Sequence, residues 1–249
     1  MRNKRLIIPV LVCCILSQQA IAGDGMRLGA RAGYSIGATA PIGMPEGVRS
    51  IDAFRPTPSF TVGIDAALPL GSRWAVAAGL RLENKAMDAD ITAQGYHMEL
   101  RKGTEHLEGV FTGSVSQQVS MLMLSLPVCA VWQAATQWHL KAGPYISLLL
   151  SIDFSGTASN GYLRQGGPTG PKITIGDTPE TWATYDFSDD LRRLQLGFTL
   201  GADWQVLPQL GFSFDLGIGL TGIFPNSFTT VGQSLYPLYA TVGVCYAIF

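Results

Sequence analysis

The stretch LGFSFDLGIGLT at residues 210–221 carries the pattern that decides the fold. Its even-numbered positions hold six large apolar residues, and its odd-numbered positions hold only Gly, Ser, Asp and Thr. Successive side chains of a β-strand point to opposite faces, so this alternation predicts a strand with one apolar and one polar face.

The same alternation recurs along the rest of the chain. Further strands are predicted at about residues 27–38, 60–68, 74–83, 120–132, 138–150, 193–205 and 236–248. Each apolar row spans about the 9–11 residues that a tilted strand needs to cross a bilayer, and no run of 18 apolar residues after residue 22 offers a spanning helix. The sequence therefore predicts an all-β fold, an eight-stranded antiparallel up-and-down transmembrane β-barrel.

The connections between these strands alternate in length. Short turns are predicted near residues 69–73, 133–137 and 205–209. Long segments rich in Gly, Ser, Thr, Asp and Pro are predicted at 39–57, 88–117, 153–190 and 222–235. Short turns on the periplasmic rim and long loops on the external rim are typical of outer-membrane barrels. Residues 23–249 are therefore expected to form one barrel domain with four long external loops.

The first 22 residues have the organisation of a cleaved signal peptide. Arg2, Lys4 and Arg5 precede an apolar stretch at 6–16, and small residues at 20–22 form a cleavage site. This leader predicts export to the bacterial outer membrane. Its removal would change the formal net charge from −1 to −4, and an acidic chain is not expected to bind nucleic acid.

Four tryptophans support a barrel whose apolar faces point outward and whose short turns share one rim. Trp74, Trp132, Trp138 and Trp204 fall on the apolar parity, each beside a predicted short turn. Outer-membrane barrels carry such aromatic girdles at the membrane interfaces. The alternative is that they form the aromatic core of a soluble β-sandwich, which would not require parity and turn position to coincide.

Charged residues recur on the opposite, inward parity. The predicted set is Arg31, Asp65, Arg81, Glu83, Lys141, Arg193, Asp203 and Asp215. An eight-stranded barrel is only wide enough for side chains to fill, and buried charges require partners. We therefore expect a structural network in a filled lumen, with Arg31 paired to Asp65 and Lys141 to Asp203. The alternative is a polar path through the barrel.

The densest group of titratable residues lies in the second long loop. His97 and His106 occur near Glu99, Glu105 and Glu108, residue types that can bind zinc or serve acid–base chemistry. Their spacing matches no tight ligand motif, and charged residues are common in solvated loops. The sequence therefore predicts no catalytic residue, no cofactor and no metal site.

Three segments resemble a known family. The strand at 28–34 (LGARAGY), the strand at 126–128 (LPV) and the strand at 142–150 (AGPYISLLL), together with an aromatic C-terminal end, are similar to the PorT-like outer-membrane β-barrels of the Bacteroidetes group. The resemblance implies this fold and location. Its terminal aromatic residues also imply recognition by the barrel-assembly machinery.

These observations favour a structural or interaction-type envelope protein whose lumen is filled by side chains. Expected partners are outer-membrane lipids, the assembly machinery and an envelope protein bound through the external loops. A lipid-modifying enzyme and a small transport pore remain the alternatives.

Overall fold

The computed structural model describes residues 25–41, 47–102, 105–225, 227–228 and 234–248. The predicted signal peptide and Phe249 lie outside the described residues. Within that described part there are eleven strands and a single-turn 3-10 helix at Ser188–Asp190. The strands are β1 (Arg27–Pro41), β2 (Val48–Pro56), β3 (Ser59–Pro69), β4 (Trp74–Lys102), β5 (Glu105–Ala135), β6 (Trp138–Gln165), β7 (Lys172–Ile175), β8 (Ala183–Asp186), β9 (Leu194–Gln205), β10 (Leu210–Gly219) and β11 (Leu235–Ala247). No helix in these ranges is both long and apolar enough to cross a membrane.

All strand pairs are antiparallel, so the predicted all-β antiparallel class is confirmed. Strand pairing runs from β1 through β3, β4, β5, β6, β9 and β10 to β11, and β11 pairs with β1 again. Within the described ranges this closed ring of pairings includes eight of the eleven strands. The remaining strands, β2, β7 and β8, pair with the outer parts of β4 and β6.

The long strands correct the loop prediction. β4, β5 and β6 have 29, 31 and 28 residues, well beyond the length needed to cross a bilayer. Most of 88–117 is therefore a continuous β-hairpin, and β2, β7, β8 and the end of β6 occupy much of 39–57 and 153–190. We refer to β2, β7, β8 and residues 86–102, 105–120 and 152–165 as the extension.

Apolar side chains explain why the extension is folded. Leu107, Phe111, Val115 and Val119 occupy one face of β5 and are buried. They join residues from β4, β6, β7 and β8 in one apolar cluster, which also includes Phe154, Phe187 and Phe224. Burial of this surface stabilises strands whose other face is hydrophilic.

Candidate functional site

Six charged side chains from six strands meet inside the ring. They are Arg31 (β1), Asp65 (β3), Arg81 (β4), Lys141 (β6), Asp203 (β9) and Asp215 (β10), and we call them the charge cluster. Asp215 lies at its centre, because its carboxylate oxygens are 2.8 Å from Nζ of Lys141 and 3.2 Å from Nη1 of Arg31. Nη1 of Arg81 lies 3.5 Å from the same carboxylate.

The cluster includes both pairs expected from the sequence. The Arg31 guanidinium contacts the Asp65 carboxylate, and Nζ of Lys141 lies 2.7 Å from Oδ1 of Asp203. Arg31 also reaches Asp203 at 3.4 Å, and this contact joins strands that are not neighbours in the ring. Contacts of this kind require the side chains to cross the interior. The cluster borders a cavity of about 200 Å³ on the side of the short turns, where Cys129 and His139 also contribute to the lining.

A second polar group lies further along the strands, centred on Glu83 and Lys85. Nζ of Lys85 is 3.4 Å from Oε2 of Glu83 and faces the rings of Tyr145 and Tyr239 at 5.3 and 5.7 Å. Ser125 donates a 2.8 Å hydrogen bond to the Glu83 carboxylate. We call this group the lysine layer. Glu83 is therefore paired with Lys85 rather than with the charge cluster.

Lys85 is a residue that the sequence analysis missed. The third predicted strand ended at residue 83, whereas β4 continues to Lys102. Extending the inward alternation of Arg81 and Glu83 by one further step reaches Lys85, so the signal was present in the sequence.

Arg193 is a correction to the predicted network. It precedes the first residue of β9 and its side chain is exposed, so it does not enter the ring. Its backbone carbonyl accepts a 2.8 Å hydrogen bond from the Leu149 amide. The physical reason is position: Arg193 has the inward parity, but it lies before the start of β9, where its side chain is exposed.

Apolar residues pack beside the lysine layer, where Met121 and Met123 of β5 lie directly opposite Lys85 and Glu83, and continue beyond it. Met121, Met123 and Leu149 are buried and belong to the apolar cluster. The cavity between the charge cluster and the lysine layer has a volume of only about 30 Å³. That space suits about one water molecule rather than a continuous aqueous path.

The four predicted girdle residues form two stacked pairs on the outer surface. Trp74 and Trp132 stack with ring centroids 6.2 Å apart, and Trp138 and Trp204 stack at 5.8 Å. Each pair joins residues directly opposite each other on neighbouring strands. All four lie at the ends of their strands beside the short turns, where their side chains are exposed.

The histidine group lies near the tip of the β4–β5 hairpin. Nδ1 of His106 is 3.2 Å from Glu99, Nε2 of His97 is 3.9 Å from Glu108, and all four side chains are exposed. Among the residues that the structure describes, no three His, Cys, Asp or Glu side chains converge as metal ligands. The arrangement forms two separate solvated pairs.

Comparisons with known proteins give one family and a set of distant structures. A family model described as "Outer membrane protein beta-barrel domain" matches residues 17–225. No curated protein matches the chain.

Three of the similar solved structures cover most of this chain at low identity. Ail of Yersinia pestis, solved with the heparin analogue sucrose octasulfate, is 8% identical, with a TM-score of 0.42 and coverage of 90% of this chain and 99% of that one. Neisserial surface protein A is 10% identical, with a TM-score of 0.35 and coverage of 90% and 97%. OprG of Pseudomonas aeruginosa is 11% identical, with a TM-score of 0.35 and coverage of 90% and 96%.

Proposed function

The chain belongs to the outer membrane protein beta-barrel domain family, and from that premise we propose that it is a sealed membrane anchor holding a folded binding surface outside the cell. In this proposal the ring of eight strands is an up-and-down transmembrane barrel, exported with a cleaved signal peptide. The extension stands on the external rim, above the membrane.

The outer surface of the ring supports the membrane placement. On β10, Leu210, Phe212, Phe214 and Leu216 are exposed, whereas Ser213 between them is buried inside. Exposed apolar rows of this kind suit hydrocarbon and would be unfavourable in water. The stacked tryptophans then mark the interface on the side of the short turns, which is the periplasmic side.

The observation that carries the proposal is the division of the interior. The charge cluster fills the ring towards the short turns, and the lysine layer packs next to it with Met121 and Met123 opposite its residues. These methionines belong to the apolar cluster, which continues into the extension as its core. Such packing favours a structural or interaction role over a transport pore. The proposed partners are outer-membrane lipids, the barrel-assembly machinery and an envelope protein. The resemblance of residues 28–34, 126–128, 142–150 and the aromatic C-terminal end to PorT-like barrels remains part of the proposal.

A photo-crosslinking experiment tests the role of the extension. A photoreactive amino acid replaces the exposed His106 near the hairpin tip, and a matched control replaces Gln209 in the short β9–β10 turn on the opposite rim. Irradiation of intact cells should give a discrete protein or glycan adduct from position 106 that is absent at position 209. Lipid-only adducts from position 106 would place the extension in the membrane and contradict the proposal.

A further inference from the structure

An apolar groove lies on the outer surface of the ring, at the end away from the short turns. It has a volume of about 550 Å³ and is formed by β1, β10 and β11, with Phe54 of β2 at its border. The side chains that shape it are Ile36, Ala38, Leu216, Leu238, Ala240 and Phe54. Apart from the Tyr236 hydroxyl, no side chain of this lining has a polar atom. The groove is therefore unsuited to a ligand that needs hydrogen bonds or charge partners.

The strand register explains the depth of the groove. Ala240 of β11 lies directly opposite Ile36 on β1 and Leu216 on β10. In the next row along the strands, Ala38 of β1 lies opposite Leu238 of β11. Directly opposite residues share one face of a sheet, as do residues two apart. The small side chain therefore moves from β11 to β1 between the two rows, and a diagonal furrow runs between the larger side chains.

A break in the wall of the ring gives the groove its second side. In the described ranges, β1 pairs with β3 only as far as Ser35, whereas its pairing with β11 continues to Pro41. β2 pairs with β4 instead. At this edge of β1, the backbone amide of Thr39 donates a 3.3 Å hydrogen bond to Sδ of Met87. The hydrogen-bonded wall is therefore interrupted here, and Phe54 of β2 borders the groove from the other side of the break.

The position of the groove along the strands places it at membrane level. Leu216 and Ile218 lie six and eight residues after Leu210, the first residue of β10. With a rise of about 3.3 Å per residue and a strand tilt of about 40°, they lie about 15–20 Å from the end of β10 beside the short turn. The apolar band of an outer-membrane barrel is about 25 Å tall. In the transmembrane placement proposed above, the groove therefore lies among the acyl chains of the outer leaflet.

The groove is continuous with the lipid-facing surface of the ring. Ile36, Leu216 and Leu238 shape the groove and are themselves exposed on the outer surface, so hydrocarbon reaches the groove without crossing a polar region. An apolar space left empty forfeits the van der Waals contacts of its lining. A furrow between side chains suits a narrow, flexible chain, whereas the broad outer face of a second barrel would bridge it.

We infer that this groove binds one acyl chain of an outer-leaflet membrane lipid. The inference deepens the proposed function, because it rests on the transmembrane placement of the ring. A lipid elsewhere on the ring contacts the protein from one side, whereas a chain in the groove contacts β1 and β11 on one side and Phe54 on the other. Association within a membrane depends on such packing, since hydrocarbon gives no hydrophobic driving force.

The binding test uses the full-length protein folded in phosphatidylcholine vesicles that contain a small fraction of phosphatidylcholine with a diazirine in one acyl chain. After irradiation, mass spectrometry measures the lipid adducts on each peptide. The comparison positions are Leu126 and Ile146, which are exposed on the outer surface across the ring at a similar distance from the short turns. Adducts at Ala38 and Leu238 should be about fivefold more abundant, a preference that additional van der Waals contacts support.

Ala240→Phe tests the furrow directly, because a large side chain at this position would occupy the space between Ile36 and Leu216. It should reduce adducts in the groove to the level of the comparison positions. Ala32→Phe is the matched control, since Ala32 is an outward residue of β1 that lies outside the groove lining. It should leave the ratio of adducts unchanged, and heat-modifiable migration on gels verifies that each variant is folded.

The comparison positions distinguish this inference from the proposed function. Equal adduct yields at the groove and at Leu126 and Ile146, or an unchanged ratio in Ala240→Phe, would overturn the acyl-chain site and leave the transmembrane placement intact. Absence of lipid adducts at both Leu126 and Ile146 would reject the transmembrane placement and the inference with it. A photoreactive amino acid at Leu238 that gives protein dimers instead of lipid adducts would assign the groove to a second copy of the chain and overturn the inference.

Discussion

Asp215 stabilises the interior of the ring more than any apolar residue of β10 does, because it contacts Lys141, Arg31 and Arg81. Asp215→Asn would leave three cations facing two carboxylates in a site of low dielectric. Removing one partner of a buried ion pair costs about 3–5 kcal/mol. We expect a loss of that order in the free energy of unfolding, measured by urea titration in lipid vesicles.

The control for Asp215 is Asp90→Asn in the extension. Asp90 also pairs with an arginine, but Arg55 is largely exposed, and such pairs contribute about 1 kcal/mol or less. Equal destabilisation by the two variants would contradict the placement of Asp215 in a desolvated interior.

Side-chain direction gives a second prediction at the residue scale. Fluorescent labels on cysteines at Ile64, Leu196 and Leu216 should report a lipid environment, because these side chains are exposed on the outer surface. The inward comparison positions are Thr199, Ser213 and Gly217. The inward glycines next to two of the outward positions, Gly63 and Gly197, cannot carry a label. A Cβ at Gly197 would lie 2.1 Å from the Tyr145 ring, and one at Gly63 would lie 2.5 Å from a backbone oxygen. If lipid-borne quenchers reduced the fluorescence of the inward labels as strongly as that of the outward labels, the assignment of inward and outward faces would be wrong.

The charge cluster could be predicted from the sequence, because residue numbers give both the face of the strand on which a side chain lies and its distance from the rim. Arg31 and Asp65 lie at similar distances from the same rim, so their contact could be expected. Arg193 and Lys85 show the limit of this reasoning. The alternation of side chains includes both positions, but it does not say that β4 continues past residue 83 or that β9 begins only at residue 194.

At the scale of elements, the β4–β5 hairpin depends on its apolar face. Phe111 is fully buried opposite Leu163, and Phe111→Ala should destabilise the extension by about 3–5 kcal/mol through loss of burial and formation of a cavity. Limited proteolysis in vesicles should then cleave the extension while the ring survives as a protected fragment. Val110→Ala, on the opposite face of the hairpin, is the control. A ring that becomes equally protease-sensitive would show that the two parts do not unfold independently.

The loop prediction failed for a physical reason. Segments 88–117 and 153–165 are rich in Ser, Thr, Asp and Gly on their outer face, a composition shared by loops and by strands exposed to water. The distinguishing signal was the inward row of Leu107, Phe111 and Val115. The bulge between Gln94 and Tyr96 interrupts the corresponding row of β4, so a strict period of two could not be followed through it.

At the scale of the whole molecule, ion passage through the ring depends more on the order of the interior layers than on any single layer. The charge cluster lies towards the short turns, the lysine layer follows with Met121 and Met123 of β5 opposite its residues, and the apolar cluster continues from there. These barriers are in series. Widening one of them therefore leaves the others in place, and ion passage requires all of them to open together.

This series arrangement predicts that the folded protein does not conduct. In planar bilayers the purified wild type should give no reproducible channel steps, because an interior of eight strands is filled by its own side chains. Arg81→Ala and Asp215→Ala should lower stability yet remain silent, since Lys85 and the methionines still block the path. Heat-modifiable migration provides the folding control for each preparation. A steady open conductance whose ion selectivity changes with Arg81 or Asp215 substitution would reject the sealed anchor and establish a pore lined by the charge cluster.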